Sequence, residues 1–86
     1  METNELLNER NSTHGAFTSN ARVAQAIKEA LKLGDNVDNL SDVHKEALTM
    51  IAHKMARIVS GDCYFDDHWD DIAGYASLPK KFNHGR

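Results

Sequence analysis

Three aspartates clustered after a lone cysteine, Asp67, Asp70 and Asp71, are the residues of this chain best suited to hold a hard divalent cation. Spaced three or four apart on a helix, Asp67 with Asp70 or Asp67 with Asp71 can converge on one magnesium ion, which takes oxygen ligands and relieves their mutual repulsion. The competing account is structural, because acids at the start of a helix also suit its dipole. Magnesium is the one cofactor this pattern calls for.

A second set of polar residues lies upstream. Glu46, Met50, His53 and Arg57 follow one another at steps of four, three and four, which draws a mixed charged edge along a helix. His53 is placed to act as a base or a ligand, with Glu46 as an acidic partner; Arg57 is suited to grip a phosphate or to pair with a facing carboxylate. Lys54 falls inside the apolar arc of the same helix, so either its stem snorkels to water or its ammonium pairs with a carboxylate such as Asp71. Thr13, His14 and Gly15 precede a helix start, where backbone N–H groups favour anions; a polar turn capped by threonine is the plainer alternative. Trp69 and Tyr75 read as core and core-edge residues, and an exposed Tyr75 can stack on a base.

These residues are positioned by helices. Val43, Ala47, Met50, Ile51, Met55, Ile58 and Val59 recur at three- and four-residue steps, and the arc widens to Leu48, Ala52 and Ala56, more than a surface helix needs. This helix is therefore expected at the centre, packed on two sides, with Ser41 as its N-cap and Asp42 in its first turn. Gly61 is expected to go left-handed after its last turn. Asp66 or Asp67 should cap the following helix, which Pro79 should stop, and which should bury Phe65, Trp69, Ile72, Ala73 and Ala76. Earlier, Phe17, Ala21, Ala24, Ile27 and Leu31 mark a helix from residue 17 to about 33, capped by Thr13, Thr18 or Ser19. Residues 2–10 suggest a short helix, residues 11–15 a loop with Gly15 at positive φ, and residues 34–40 a loop. No run alternates as a strand does. The fold class is all-α: a small bundle of three to four helices with a C-terminal helical hairpin.

Length and composition set the bounds. At 86 residues this is one domain, residues 1–79, followed by a basic, flexible tail at 80–86. A monomer of this size is marginal, so a homo-oligomer is expected. With 41% hydrophobic and 27% charged residues the chain reads as an ordinary globular protein. No apolar run approaches the roughly 18 residues of a membrane span, and the polar start METNELLNER lacks the apolar core of a signal peptide, so membrane association is not expected and the compartment is the cytoplasm. A net charge of −3 without a basic stripe argues against nucleic acid as a partner. The single Cys63 excludes an internal disulfide and a multi-cysteine zinc site.

Three segments carry a resemblance: ER-x-x-THG-x-F at residues 9–17, KEAL-x-MIA-x-K-x-ARI-x-x-GD at residues 45–62 and DHW-x-DIAGYA-x-L at residues 67–78. In these the chain resembles a family of small proteins of tailed bacteriophages and prophages, catalogued as a domain of unknown function, which implies a viral origin and the host cytoplasm. At pattern level it is also similar to the MazG-like nucleotide pyrophosphohydrolases, all-α proteins in which carboxylates on successive helices hold magnesium over a triphosphate. There Asp67-x-x-Asp70 stands for one carboxylate pair, while the other has only Glu46, with Thr49 in its partner's place.

The expectation drawn from both is a protein that binds a nucleotide or related phosphate metabolite between its two C-terminal helices. Asp67, Asp70 and Asp71 would take the metal, Lys54 and Arg57 the phosphate, and Thr13, His14 and Tyr75 further parts of the ligand. His53 and Glu46 would serve catalysis if water attacks a phosphoanhydride. The alternative is a non-enzymatic viral interaction protein that inhibits or sequesters a host defence component.

Overall fold

A computed structural model describes residues 11–82. Residues 11–14 are helical, and three longer helices follow: α1 (Phe17–Leu31), α2 (Asp42–Ser60) and α3 (Asp66–Lys81), with one 3-10 turn at Val37–Asn39 between α1 and α2. The described residues contain no strand, so the all-α class holds. No helix among them is long and apolar enough to cross a membrane. The short helix expected over residues 2–10 lies outside the described residues, as do residues 83–86 of the expected tail.

Helix α2 packs against α1 on one side and α3 on the other, the central position its wide apolar arc requires. The residues at the two contacts are small. Ala24, Ala47, Ala52 and Ala56 form the buried apolar core of the described residues, and the larger Met50, Ile51 and Ile58 are half-buried beside them. Alanine at a helix crossing lets the axes approach closely, which leaves longer side chains at the margins.

Local signals account for most of the element boundaries. Ser41 caps α2, its Oγ accepting from the His44 N–H at 3.2 Å, with Asp42 in the first turn. Gly15 adopts φ +80° as expected. The structure corrects the reading elsewhere. Residues 11–14 are helical instead of forming a loop, since the Gly15 N–H donates to the Asn11 carbonyl at 3.0 Å; Gly15 terminates this turn. The α1 cap is Ala16, with no side-chain bond, so Thr13, Thr18 and Ser19 do not cap it. Phe65 occupies the N-cap of α3, which moves Asp66 and Asp67 into the first turn, where they favour the dipole without capping. Gly61 has φ −123°, so its role is not a left-handed turn.

Pro79 does not stop α3. The helix runs on to Lys81, and the Phe82 N–H still donates to the Leu78 carbonyl at 3.0 Å beyond it. This near the C-terminus, proline removes a single ladder bond, and Lys80 and Lys81 in the last turn suit the negative end of the dipole. Those two lysines are therefore helical, not part of a tail. The buried stripe of α3 is also displaced by one residue: His68 is 1% exposed, whereas Trp69, Ala73 and Ala76 are exposed. Phe17, expected on the buried side of α1, is exposed as well.

Candidate functional site

The displaced stripe has a cause in hydrogen bonding. The Nε2 of His68 lies 3.1 Å from the Thr13 carbonyl and 3.0 Å from Nδ1 of His14. A carbonyl only accepts, so His68 Nε2 carries the proton, shares it between both acceptors, and leaves His14 Nδ1 as the unprotonated nitrogen toward it. Phe65 stacks edge-on against both rings, with centroids 5.7 Å from His14 and 4.9 Å from His68. A buried histidine satisfied in this way behaves as a core residue.

The same junction brings two chain turns into backbone contact. An added Cβ at Gly15 would stand 2.4 Å from the Ser60 carbonyl oxygen, and one at Gly61 would stand 2.5 Å from the Thr13 carbonyl oxygen. Glycine at both positions lets the ends of α2 and of the first helical turn cross at this separation. The Asp62 N–H donates to the Thr13 carbonyl at 3.1 Å, and the hydroxyls of Ser19 and Ser60 share a 2.7 Å bond that ties the start of α1 to the end of α2.

Beside this junction, between α1 and α2, lies a cavity of about 240 Å³. Its wall includes His14, Asn20 and Gln25, with His53 and Arg57 one helical turn apart on α2 and Ala24 at the base. Among the described residues that line it there is no carboxylate. Arg57 is half-buried and forms no salt bridge among the described residues. The Oδ1 of Asn20 is buried without a hydrogen-bond partner, while its Nδ2 lies 3.5 Å from the Gly15 carbonyl. The α1 N-terminus borders it through Phe17, and among the described residues no side chain caps that end, since Ala16 occupies the N-cap. One permanent cation, two imidazoles, amide side chains and free helix N–H groups make a receptor for a small anion.

The expected site residues fall into separate places. His14, His53 and Arg57 meet at this cavity, and Thr13 adjoins it through its carbonyl. Lys54 is not among the cavity's lining residues, and its ammonium pairs with Asp71 at 3.0 Å, the lysine side chain 12% exposed and the aspartate 46%. That pairing is one of the two alternatives its position posed. Glu46 and Tyr75 line a separate apolar groove between the start of α2 and the end of α3, together with Leu78 and Phe82. Asp70 and Asp71 border a shallow open depression on α3, and Asp67 is exposed. Among the described residues no three His, Cys, Asp or Glu side chains are grouped to hold a metal ion. Of the cationic row at residues 53–57, Lys54 thus meets Asp71 on α3, whereas His53 and Arg57 line the cavity beside α1. Glu29, remote from the cavity, is held below the usual carboxylate range by its hydrogen bond from Lys32 and the lysine's charge.

His68, Asn20 and Gln25 were not singled out by spacing. Asn20 and Gln25 sit one turn or more after a helix start, and nothing in their types marks them. His68 had one usable signal: it lies three residues after Phe65 and, like His14, in a short motif with an adjacent aromatic or small residue.

Residues 1–83 match the family described as a domain of unknown function (DUF6378). No curated protein matches this chain, and no solved structure does.

Proposed function

The chain belongs to the DUF6378 family, and for it we propose that the cavity between α1 and α2 binds the phosphate of a nucleotide or a related phosphate metabolite. The observation that carries this is the half-buried Arg57, which has no carboxylate partner among the described residues and lines a cavity with no acidic residue among those described. A half-buried guanidinium favours an anionic partner, and a bound phosphate would supply two parallel acceptors. His53 and His14 add donors beside it, and the uncapped start of α1 adds backbone N–H groups. The reading is one of binding. In its narrower, MazG-like form a magnesium ion accompanies the phosphate, with Asp67 and Asp70 as the exposed carboxylates left to meet it, and water attacks a phosphoanhydride.

Thermal melting with inorganic phosphate and a panel of nucleotides, each with and without magnesium, tests this, because a ligand that binds only the folded state raises the midpoint. Phosphate-bearing ligands should raise the parent's Tm. Arg57→Ala should remove that shift, and Lys54→Gln should keep it, since Lys54 does not line the cavity and is engaged with Asp71. Asp70→Asn should abolish any magnesium response if the narrower form holds. A parent that shifts with none of these ligands sinks the reading.

A second reading, a viral protein that sequesters a host component, is favoured by the exposure of Tyr64 and Leu33, at 87% and 84%. Its support is the unburied aromatic and aliphatic surface, which a partner would cover.

A further inference from the structure

Two imidazoles meet where residues 11–14 rest on α3, and the contact between them holds a single proton. His68 Nε2 donates to the Thr13 carbonyl at 3.1 Å and to His14 Nδ1 at 3.0 Å, so His14 Nδ1 enters this contact as an acceptor. The contact is closed in. His68 is 1% exposed, His14 is half-buried, and the Phe65 ring lies edge-on to both.

A second proton has no place in this geometry. On His14 Nδ1 it would face the His68 N–H, donor against donor. Moving the His68 proton to its Nδ1 would instead leave the Nε2 lone pair against the Thr13 carbonyl oxygen, acceptor against acceptor. Either arrangement loses a buried hydrogen bond and brings a charge into a site with little water. The surroundings on each packed element add to the cost or leave it unchanged. On α2, Arg57 and His53 line the same cavity as His14, and a guanidinium there disfavours another cation. No titratable side chain of α1 lines that cavity. In the connection to α3, the Asp62 carboxylate accepts from the Tyr64 N–H at 2.9 Å. On α3, Asp66 and Asp67 are exposed, and Asp71, about one turn beyond His68, is paired with Lys54. His68 forms no ion pair among the described residues.

We infer that the His14–His68 contact is a proton-sensitive latch, closed while His14 Nδ1 is unprotonated and released when it takes up a proton. What it holds is the turn at residues 11–14. That turn crosses the end of α2 at Gly15 and Gly61, accepts the Asp62 N–H at the Thr13 carbonyl, and places His14 in the cavity wall. Release therefore loosens one wall of the cavity. The sign follows from linkage: the docked state binds fewer protons than the released one, so docking is complete above neutral pH and weakens as pH falls through the range in which histidine titrates. The latch stands apart from the phosphate reading, and phosphate-free buffer keeps that ligand out of its test.

Amide hydrogen exchange of the full chain, followed by NMR at pH 7.5 and pH 5.0 and corrected for the intrinsic rate at each pH, decides it. In the parent, protection of the Asp62 amide should fall about five- to thirtyfold on acidification; roughly thirtyfold is the limit for one imidazole of ordinary pKa that takes no proton while docked. Amides in the middle of α2 should keep their protection, because the release is local. His14→Asn sets an acceptor that does not titrate where Nδ1 lies, so its Asp62 protection should change by less than about twofold, whereas His53→Gln should keep the parent's fall. On the parent alone, long-range proton–nitrogen correlation at pH 7.5 should show His14 Nδ1 without a proton and His68 Nε2 with one. The opposite assignment overturns the inference. So does Asp62 protection that is constant with pH in the parent, a fall shared equally by the middle of α2, or a fall that persists in His14→Asn.

Discussion

Replacing Gly15 with alanine tests the junction on which the cavity rests. The substitution meets two obstacles. At φ +80° an L side chain costs roughly 1–2 kcal/mol. The new Cβ would also stand 2.4, 2.5 and 2.6 Å from the Ser60 carbonyl oxygen, carbonyl carbon and Cβ, where ordinary contact needs about a further ångström. Those neighbours are largely backbone, so relief requires the end of α2 to separate from the first helical turn. Separation stretches the Asp62-to-Thr13 bond and the Ser19–Ser60 bond, each worth about 1 kcal/mol. The sum is about 3–4 kcal/mol, a large fraction of the roughly 4–13 kcal/mol that a domain of this size possesses. In thermal melts followed by circular dichroism, Gly15→Ala should lose on the order of 15–30 °C in Tm. Gly74→Ala is the matched control. Gly74 sits inside α3 with nothing within 4 Å of an added Cβ, so alanine should stabilise by about 0.5–1 kcal/mol and raise Tm by several degrees. A Gly15→Ala protein melting within 3 °C or so of the parent would refute the contact between these two turns.

Two further outcomes follow from the buried polar groups. His68→Leu keeps the bulk but cannot donate to the Thr13 carbonyl, so it should lower stability to urea by about 1–3 kcal/mol and loosen the cavity wall through His14; an unchanged urea midpoint would show that the shared proton contributes nothing. For the ion pair at 3.0 Å, Lys54→Met retains the packed stem and removes the charge, whereas Asp71→Ala leaves a mostly buried ammonium without its partner, so the second should destabilise more than the first. Urea titrations giving the reverse order would mean that the packing of the stem, not the charge, is what Lys54 supplies.

What could be read from the sequence was periodicity, and what could not was the identity of the face each period buries. The central place of α2 followed from an apolar arc too wide for one neighbour, and a cation inside that arc posed two outcomes, snorkelling or pairing, of which the structure has the Lys54–Asp71 pair. Ser41 and Gly15 were legible because each answers a local backbone need. The α3 face was misread for a physical reason: hydropathy assigns Trp69 to the interior and His68 to the surface, but a histidine with an accepting carbonyl 3.1 Å away and aromatic rings around it loses little by burial. The division of the candidate site has a similar origin. Consecutive residues on a helix are 100° apart, so Lys54 and its neighbour His53 were bound to face different directions, and only the placement of α1 shows that His53 and Arg57 turn toward it. That placement rests on Gly15 and Gly61, whose importance lies in what they lack. A contact made possible by an absent side chain leaves no hydrophobic period, although it decides which residues surround the cavity. Trp69 then follows by the same reasoning: having given the inner position to His68, it lies half-exposed on the outer side of α3, held there by its indole N–H, which donates to the Cys63 carbonyl at 2.8 Å.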